Sequence, residues 1–348
     1  MPFLLRIEAP GRFGYSHAMN LAESIQSTPG RGRLGFLQAL GWDGASSEPL
    51  TGDASARKYF RLRKGEQTAV LMDASQNPES VPPFLNLDHH LEQLGFSVPQ
   101  VLAWDGALVL LEDFGDGTFA RLLDEGSPQR HSDPADRLYG LATDVLVALH
   151  QHPKAIPNGL REYSPEKMLE DLELFLEWRT PTLAEPIRAA FREAWRTVLP
   201  RAHQVPRSLL LRDYHAANLM LLPGREGVRQ AGLLDFQDAY QGPVTYDLVS
   251  LLEDARREVP ESLREKMLAR YEAGCSGGAE RGAFLSSLAI LAALRHTRVL
   301  GIFERLSRRD GKPEYRRQHS PRVEGLLWRA LNHPALAEVR GWMEKYGR

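Results

Sequence analysis

A single cysteine, Cys275, in 348 residues excludes a disulfide framework and a zinc site built on thiolates. Long hydrophobic runs are missing too: the longest, residues 288–294, is cut by Arg295, well short of the ~20 residues that span a bilayer. Met1-Pro-Phe-Leu-Leu is followed at once by Arg6 and Glu8, which is no secretory leader, so the expected location is the cytoplasm. Neither sign of charge is in excess. Lys and Arg number 43 against 45 Asp and Glu, a formal net charge of −2 that leaves no electrostatic footprint for nucleic acid. The phosphate-cradling Gly-x-x-x-x-Gly-Lys-Ser/Thr signature does not occur, and neither a P-loop nucleotidase nor a Rossmann dehydrogenase is expected.

What is present is a polar loop between apolar runs. Leu209-Leu-Leu-Arg-Asp213-Tyr-His215-Ala-Ala-Asn218-Leu-Met-Leu-Leu offers a carboxylate and, five residues on, a carboxamide. A third run, Gly232-Leu-Leu-Asp235-Phe-Gln-Asp238, ends in another carboxylate. Phosphoryl transfer needs these groups because its loose transition state asks for positioning and charge neutralisation rather than covalent help. Asp213 then orients the attacking hydroxyl, while Asn218 and Asp235 hold Mg²⁺. Taken singly, each half also reads as a strand–turn–strand whose Asp and Asn serve turn chemistry. Both halves in order, each at the end of an apolar strand, favour the catalytic reading, with Asp235-Phe-Gln standing where a protein kinase has Asp-Phe-Gly.

The loop Asp213-Tyr-His215-Ala-Ala-Asn218 resembles the Asp-x-His-x-x-Asn loop of the aminoglycoside/choline phosphotransferase superfamily. Gly52-Asp-Ala-Ser-Ala-Arg57-Lys-Tyr-Phe-Arg61, Leu234-Asp-Phe-Gln-Asp-Ala239, Gly242-Pro-Val-Thr-Tyr-Asp247 and Arg308-Arg-Asp-Gly-Lys-Pro313 are similar to a subfamily of anomeric sugar kinases of bacterial cell-wall recycling, over roughly residues 48–330. The resemblance implies an α+β, two-lobed protein-kinase-like fold with a small β-rich lobe and a larger, mainly helical one. The expected organisation is an N-terminal extension over residues 1–47, partly disordered and then helical, a nucleotide-binding lobe over 48–114, and a catalytic and substrate-binding lobe over 115–348. It further implies ATP as co-substrate with Mg²⁺, N-acetylmuramate and N-acetylglucosamine as acceptors, and main-chain contacts to adenine around Glu112 and Phe114, whose neighbour Asp113 is expected to face solvent. No obligate protein partner, nucleic acid or membrane is inferred.

Two departures matter. The strand Val70-Leu-Met-Asp73 lacks the phosphate-binding lysine of protein kinases, and the loop before Arg57 has one glycine, so backbone cradling is weak. Arg57 is the candidate replacement cation, with Lys58 and Arg61 behind it; the alternative places all three on a solvated strand face. His215 is expected to organise the loop, Asp247 to buttress it, and the basic turn of residues 308–312 to wall the sugar pocket. A basic wall suits a lactyl carboxylate better than a polycationic aminoglycoside. Other readings remain: a superfamily kinase for another small hydroxyl acceptor, or a nucleotide-binding scaffold without turnover.

Overall fold

The computed structural model describes residues 32–50, 57–124, 134–275 and 279–347. Most of the N-terminal extension and residues 51–56 of the loop before Arg57 lie outside them. The chain divides into two compact units, with the boundary in sequence between Asp116 and Gly117.

The first unit carries helix α1 (Arg33–Ala39) and a five-stranded sheet in the order β1 (Ser46–Leu50), β2 (Lys58–Lys64), β3 (Gln67–Asp73), β5 (Leu108–Leu111), β4 (Val101–Asp105), antiparallel throughout. Helix α2 (Val81–Gln93) joins β3 to β4. The period-2 alternation of a strand sorts Leu62, Ala69, Leu71, Leu108 and Leu110 onto one face, where Phe36 and Leu37 of α1 complete a buried cluster. Tyr59, Arg61, Val70, Met72, Val109 and Leu111 share the other face by register. Proline in the first turn of α2 and Gly95 just past its end, at φ 87°, give that helix the ends its sequence announced. Glycines at positions 30, 32 and 35 do have the dinucleotide-fingerprint spacing, but Gly32 caps α1 and the sheet that follows is antiparallel, so no Rossmann βαβ unit begins there.

The second unit is mainly helical. It holds α3 (Phe119–Leu123), α4 (Pro134–Gln151), α5 (Pro165–Leu174), α6 (Glu185–Val198), α7 (Thr245–Leu252), α8 (Glu261–Gly274), α9 (Arg281–Arg308), α10 (Pro313–Leu331) and α11 (Ala337–Tyr346). Two short ribbons, β6 (Arg207–Leu210) with β9 (Tyr240–Pro243) and β7 (Leu219–Leu221) with β8 (Ala231–Leu233), interrupt them. Ser164 Oγ accepts from the N–H of Lys167 and Pro165 opens the first turn, so α5 starts where capping chemistry predicts. By length and composition α9 could cross a membrane, yet 72% of its apolar window is buried inside the protein, against α5, α7 and α10.

Helix α5 ends in a π-helical turn, Phe175–Arg179, where α9 crosses it. The crossing is close enough that a Cβ on Gly301 would lie 2.5 Å from the Leu174 carbonyl carbon and 2.7 Å from the Phe175 nitrogen. Backbone cannot yield as a side-chain tip does. Gly301→Ala should therefore destabilise the protein by about 1–3 kcal/mol or more, read as a lower denaturation midpoint; an unchanged midpoint would mean that the helices separate freely here.

Candidate active site

Between β6 and β7 the chain turns through residues 211–218, and the turn is held from below. Both oxygens of the buried Asp247, in the first turn of α7, accept main-chain N–H groups, from Leu211 at 2.6 Å and Arg212 at 2.9 Å. Ser250 Oγ, one turn along α7, donates to the Arg212 carbonyl at 3.0 Å. Burial pushes the Asp247 carboxyl up to about 7, against these two donors, which pull it down. The phenol of Tyr214 donates to the Ala142 carbonyl of α4 at 2.8 Å.

Among the described residues only two non-glycine residues lie in the left-handed region, Arg212 at φ 66° and Asp235 at φ 59°. Arg212 adjoins Asp213 and Asp235 is itself one of the groups singled out in the sequence, and strain held in place by surrounding hydrogen bonds collects at functional sites. Asn218 Nδ2 donates to the Asp213 carbonyl at 2.9 Å and lies 3.4 Å from Asp235 Oδ2, while Gln237 Nε2 donates to Asp235 Oδ1 at 2.7 Å. The Leu234 N–H donates to the Asn218 carbonyl at 3.0 Å, fixing the β8 turn to the loop. Asp213, Asn218 and Asp235 are thus brought together in the second unit.

Asp235 is exposed and supplies a carboxylate; Asn218 supplies an amide oxygen once its NH₂ is committed. Hard oxygen donors, one charged and one neutral, suit Mg²⁺ that also binds phosphate oxygens, and no cluster of three His, Cys, Asp or Glu among the described residues offers another cage. His215 is buried, and burial lowers its pKa, so the ring stays neutral; Nε2 lies 3.5 Å from Arg256 Nη1.

The guanidinium of Arg212 points away from Asp213 into a buried cluster. Nη2 meets Asp171 Oδ2 at 2.8 Å, and the Tyr163 and Tyr240 rings lie 4.9 and 5.0 Å from its carbon. Asp171 also accepts from Tyr163 at 2.9 Å and pairs with Lys167 at 3.1 Å and Arg298 at 3.3 Å. Burial raises this carboxyl, but Arg298, Arg212 and Lys167 outweigh that and hold it below the usual carboxylate range. Sequence reasoning missed Asp171, although an acid among the inward positions of α5, beside Met168 and Leu172, was the available signal.

In the first unit, Arg57 is buried, its Nε 3.1 Å from Ser80 Oγ and its Nη2 3.2 Å from the Ser80 carbonyl. Asp113 corrects the sequence expectation of a solvent-facing side chain, and Arg61 departs from the alternative that placed it on a solvated strand face. Arg61 Nε and Nη2 take both Asp113 oxygens at 2.8 and 2.9 Å, Nη2 also donates to the Gly115 carbonyl at 2.7 Å, and Nη1 meets Asp116 at 2.6 Å. Arg61 faces inward by strand parity and its fork fits a carboxylate, so the pair pins the segment that contains Glu112 and Phe114. The Glu112 N–H donates to the Gln100 carbonyl at 2.8 Å. A second acid escaped notice: Asp88, buried on α2, where burial and then the charges of Glu92 and Glu112 push it up to about 8.

In the turn of residues 308–312, Arg308 pairs with the buried Glu304 and Arg309 with Asp310. Arg179 also meets Glu304, at 2.9 Å, and Glu324 at 2.6 Å, which makes it a packing residue.

A two-unit chain with an antiparallel sheet, a helical body and an Asp-x₄-Asn loop before an Asp-Phe turn is a kinase-like phosphotransferase. A profile described as the phosphotransferase enzyme family matches residues 46–285. The N-acetylmuramate/N-acetylglucosamine kinase of Caulobacter vibrioides is 34% identical over 90% of this chain and 95% of its own; that of Neisseria meningitidis is 36% identical over 76% and 79%. Among solved structures, a choline/ethanolamine kinase family protein from Mesorhizobium loti (TM-score 0.58, 17% identity, 87% and 95% covered) and choline kinase LicA from Streptococcus pneumoniae (0.58, 15%, 87% and 96%) share the fold. The chain belongs to the phosphotransferase enzyme family, and is accordingly an ATP-dependent enzyme with a hydroxyl acceptor.

Asp88 gives a signed pH dependence. Its folded pKa lies above the ordinary ~3.9, so its contribution to stability is complete below the unfolded value and is lost as pH rises through about 8. Asp88→Asn should remove that loss. Its unfolding free energy relative to wild type should improve between about pH 5 and pH 9, whereas a constant difference would mean that Asp88 is charged throughout.

Proposed function

We propose that this enzyme transfers the γ-phosphoryl group of ATP to the anomeric hydroxyl of N-acetylmuramate and N-acetylglucosamine, giving the 1-phosphates from which UDP-sugars are made in peptidoglycan recycling. The observation that carries the reading is 34% and 36% identity to kinases of that name over 90% and 76% of this chain. The loop geometry supports it. Asp213 orients the acceptor hydroxyl and takes its proton as the O–P bond forms; Asn218 fixes the main chain of Asp213 through its amide. Asp235 and Asn218 would hold Mg²⁺, which would supply charge neutralisation at the transferring phosphoryl group. The main chain around Glu112 and Phe114 contacts adenine, steadied by the Arg61 grip on Asp113. Arg57 serves the phosphates through the start of α2, which it holds by Ser80. The reaction belongs in the cytoplasm, where ATP is.

The test is ADP release with Mg·ATP against N-acetylmuramate, N-acetylglucosamine, kanamycin and choline, with the phosphorylated position read by phosphorus NMR. A 1-phosphate on the N-acetyl sugars is expected; turnover only on kanamycin or choline would replace the substrate. Asp213→Ala should lower kcat by about 10²–10⁴-fold with nucleotide affinity retained, and a kcat near wild type would remove Asp213 from the role of base. Asp235→Ala should weaken Mg·ATP and shift the metal requirement upward.

A further inference from the structure

Asp213, the proposed base, is preceded by an arginine, and the two charges attract each other. Arg212 is permanently charged, and its side chain is long enough to reach the carboxylate of its neighbour. An ion pair between them would fork two parallel hydrogen bonds onto Asp213 and turn it from the acceptor hydroxyl. Burial alone would lower the Arg212 pKa, but Tyr246, Tyr163, Asp171 and Asp213 together outweigh it and raise it, so Asp213 is among the groups whose field acts on this guanidinium.

What holds Arg212 elsewhere is a second carboxylate. Its Nη2 donates to Asp171 Oδ2 at 2.8 Å, and its guanidinium carbon lies 4.9 and 5.0 Å from the centres of the Tyr163 and Tyr240 rings. Arg212 and Asp171 are buried, at 7% and 9% exposure, so salt screens their attraction little. One residue at φ 66° therefore has two anchors: Asp247 takes its N–H and Asp171 its guanidinium. Asp171 is shared by three cations, which would respond differently to its loss. Lys167 keeps Glu170 at 3.0 Å, and Arg298 is carried on α9. Arg212 alone of the three stands in the loop beside another carboxylate. A buried guanidinium stripped of its partner is strongly destabilised, which drives it to the nearest acid.

We propose that Asp171 is a positioning residue: it holds the Arg212 guanidinium away from Asp213 and so leaves the base free to take the acceptor proton. This rests on the reading of Asp213 as the base and is independent of which sugar is the acceptor. Asp171 acts through Arg212 and touches no reacting atom.

The measurement is kcat and KM for Asp171→Asn, Arg212→Met and the double variant, on whichever acceptor the wild type phosphorylates, with melting temperatures alongside. Asp171→Asn keeps the shape and removes the charge, so kcat should fall about 10–100-fold with KM little changed. Arg212→Met sets an unbranched, polarisable chain between the two rings and should lower kcat less. The double variant has no guanidinium to capture Asp213 and should recover most of what Asp171→Asn loses, whereas a purely structural role for Asp171 makes the two losses add. A double variant no faster than Asp171→Asn overturns the proposal, and so does an Asp171→Asn kcat near that of wild type. Should Asp171→Asn alone fail to fold, Arg212→Met with and without Asp171→Asn carries the test: equal kcat is expected, and a further fall overturns it. Asp213→Ala separates the two failures, because a kcat near wild type there removes the base reading and this proposal with it, while a large loss leaves the base standing whatever Asp171 does.

Discussion

The grip of Asp247 on the Leu211 and Arg212 N–H groups is the constraint on which the second unit's chemistry depends. An arginine does not hold a left-handed backbone at φ 66° unprompted, because Cβ crowds the carbonyl there. Two donors to one buried carboxylate, with Ser250 on the Arg212 carbonyl, leave the loop no other path. That turn directs the Arg212 side chain inward and leaves Asp213 and Asn218 half-exposed. The Asp247 carboxyl is buried where charge is disfavoured, and the donors it satisfies justify its place.

From Arg212 the same logic extends outward. Its guanidinium, Lys167, Arg298 and the Tyr163 phenol converge on Asp171, so the loop, α5 and α9 are joined through one carboxylate. A comparable junction lies at Glu253, just past α7. Burial would raise that carboxyl, but His296, Arg264 and Arg329 hold it at about 2. Buried carboxylates with several cationic donors thus fix the helices by direction as well as by apolar contact. The pattern has exceptions: among the described residues Arg295 Nη1 and Arg305 Nε are buried without a partner.

The kinase-like arrangement was legible because it depends on short-range pattern. Alternation in residues 58–63 sorts a two-faced strand, Pro82 and Gly95 bound α2, and apolar runs on either side of Asp213 and Asn218 make a loop between strands. Spacing along the chain is enough to single out Asp213, Asn218 and Asp235. Asp88 and Asp171 were not legible as more than helix-surface acids, since their burial depends on what packs over them. The solvent-facing expectation for Asp113 failed because its partner Arg61 lies 52 residues away in the chain and only strand order brings the two charges together.

Taken alone, the sequence determined the class of chemistry and singled out the residues proposed to perform it, because a carboxylate and a carboxamide at fixed spacing on one loop are a local property. The tertiary structure alone decided which charges are matched. Arg61 finds Asp113, Arg212 and Arg298 share Asp171, and Arg305 Nε is buried without a described partner, since pairing across a fold depends on helix crossings such as that at Gly301 rather than on neighbours in the chain.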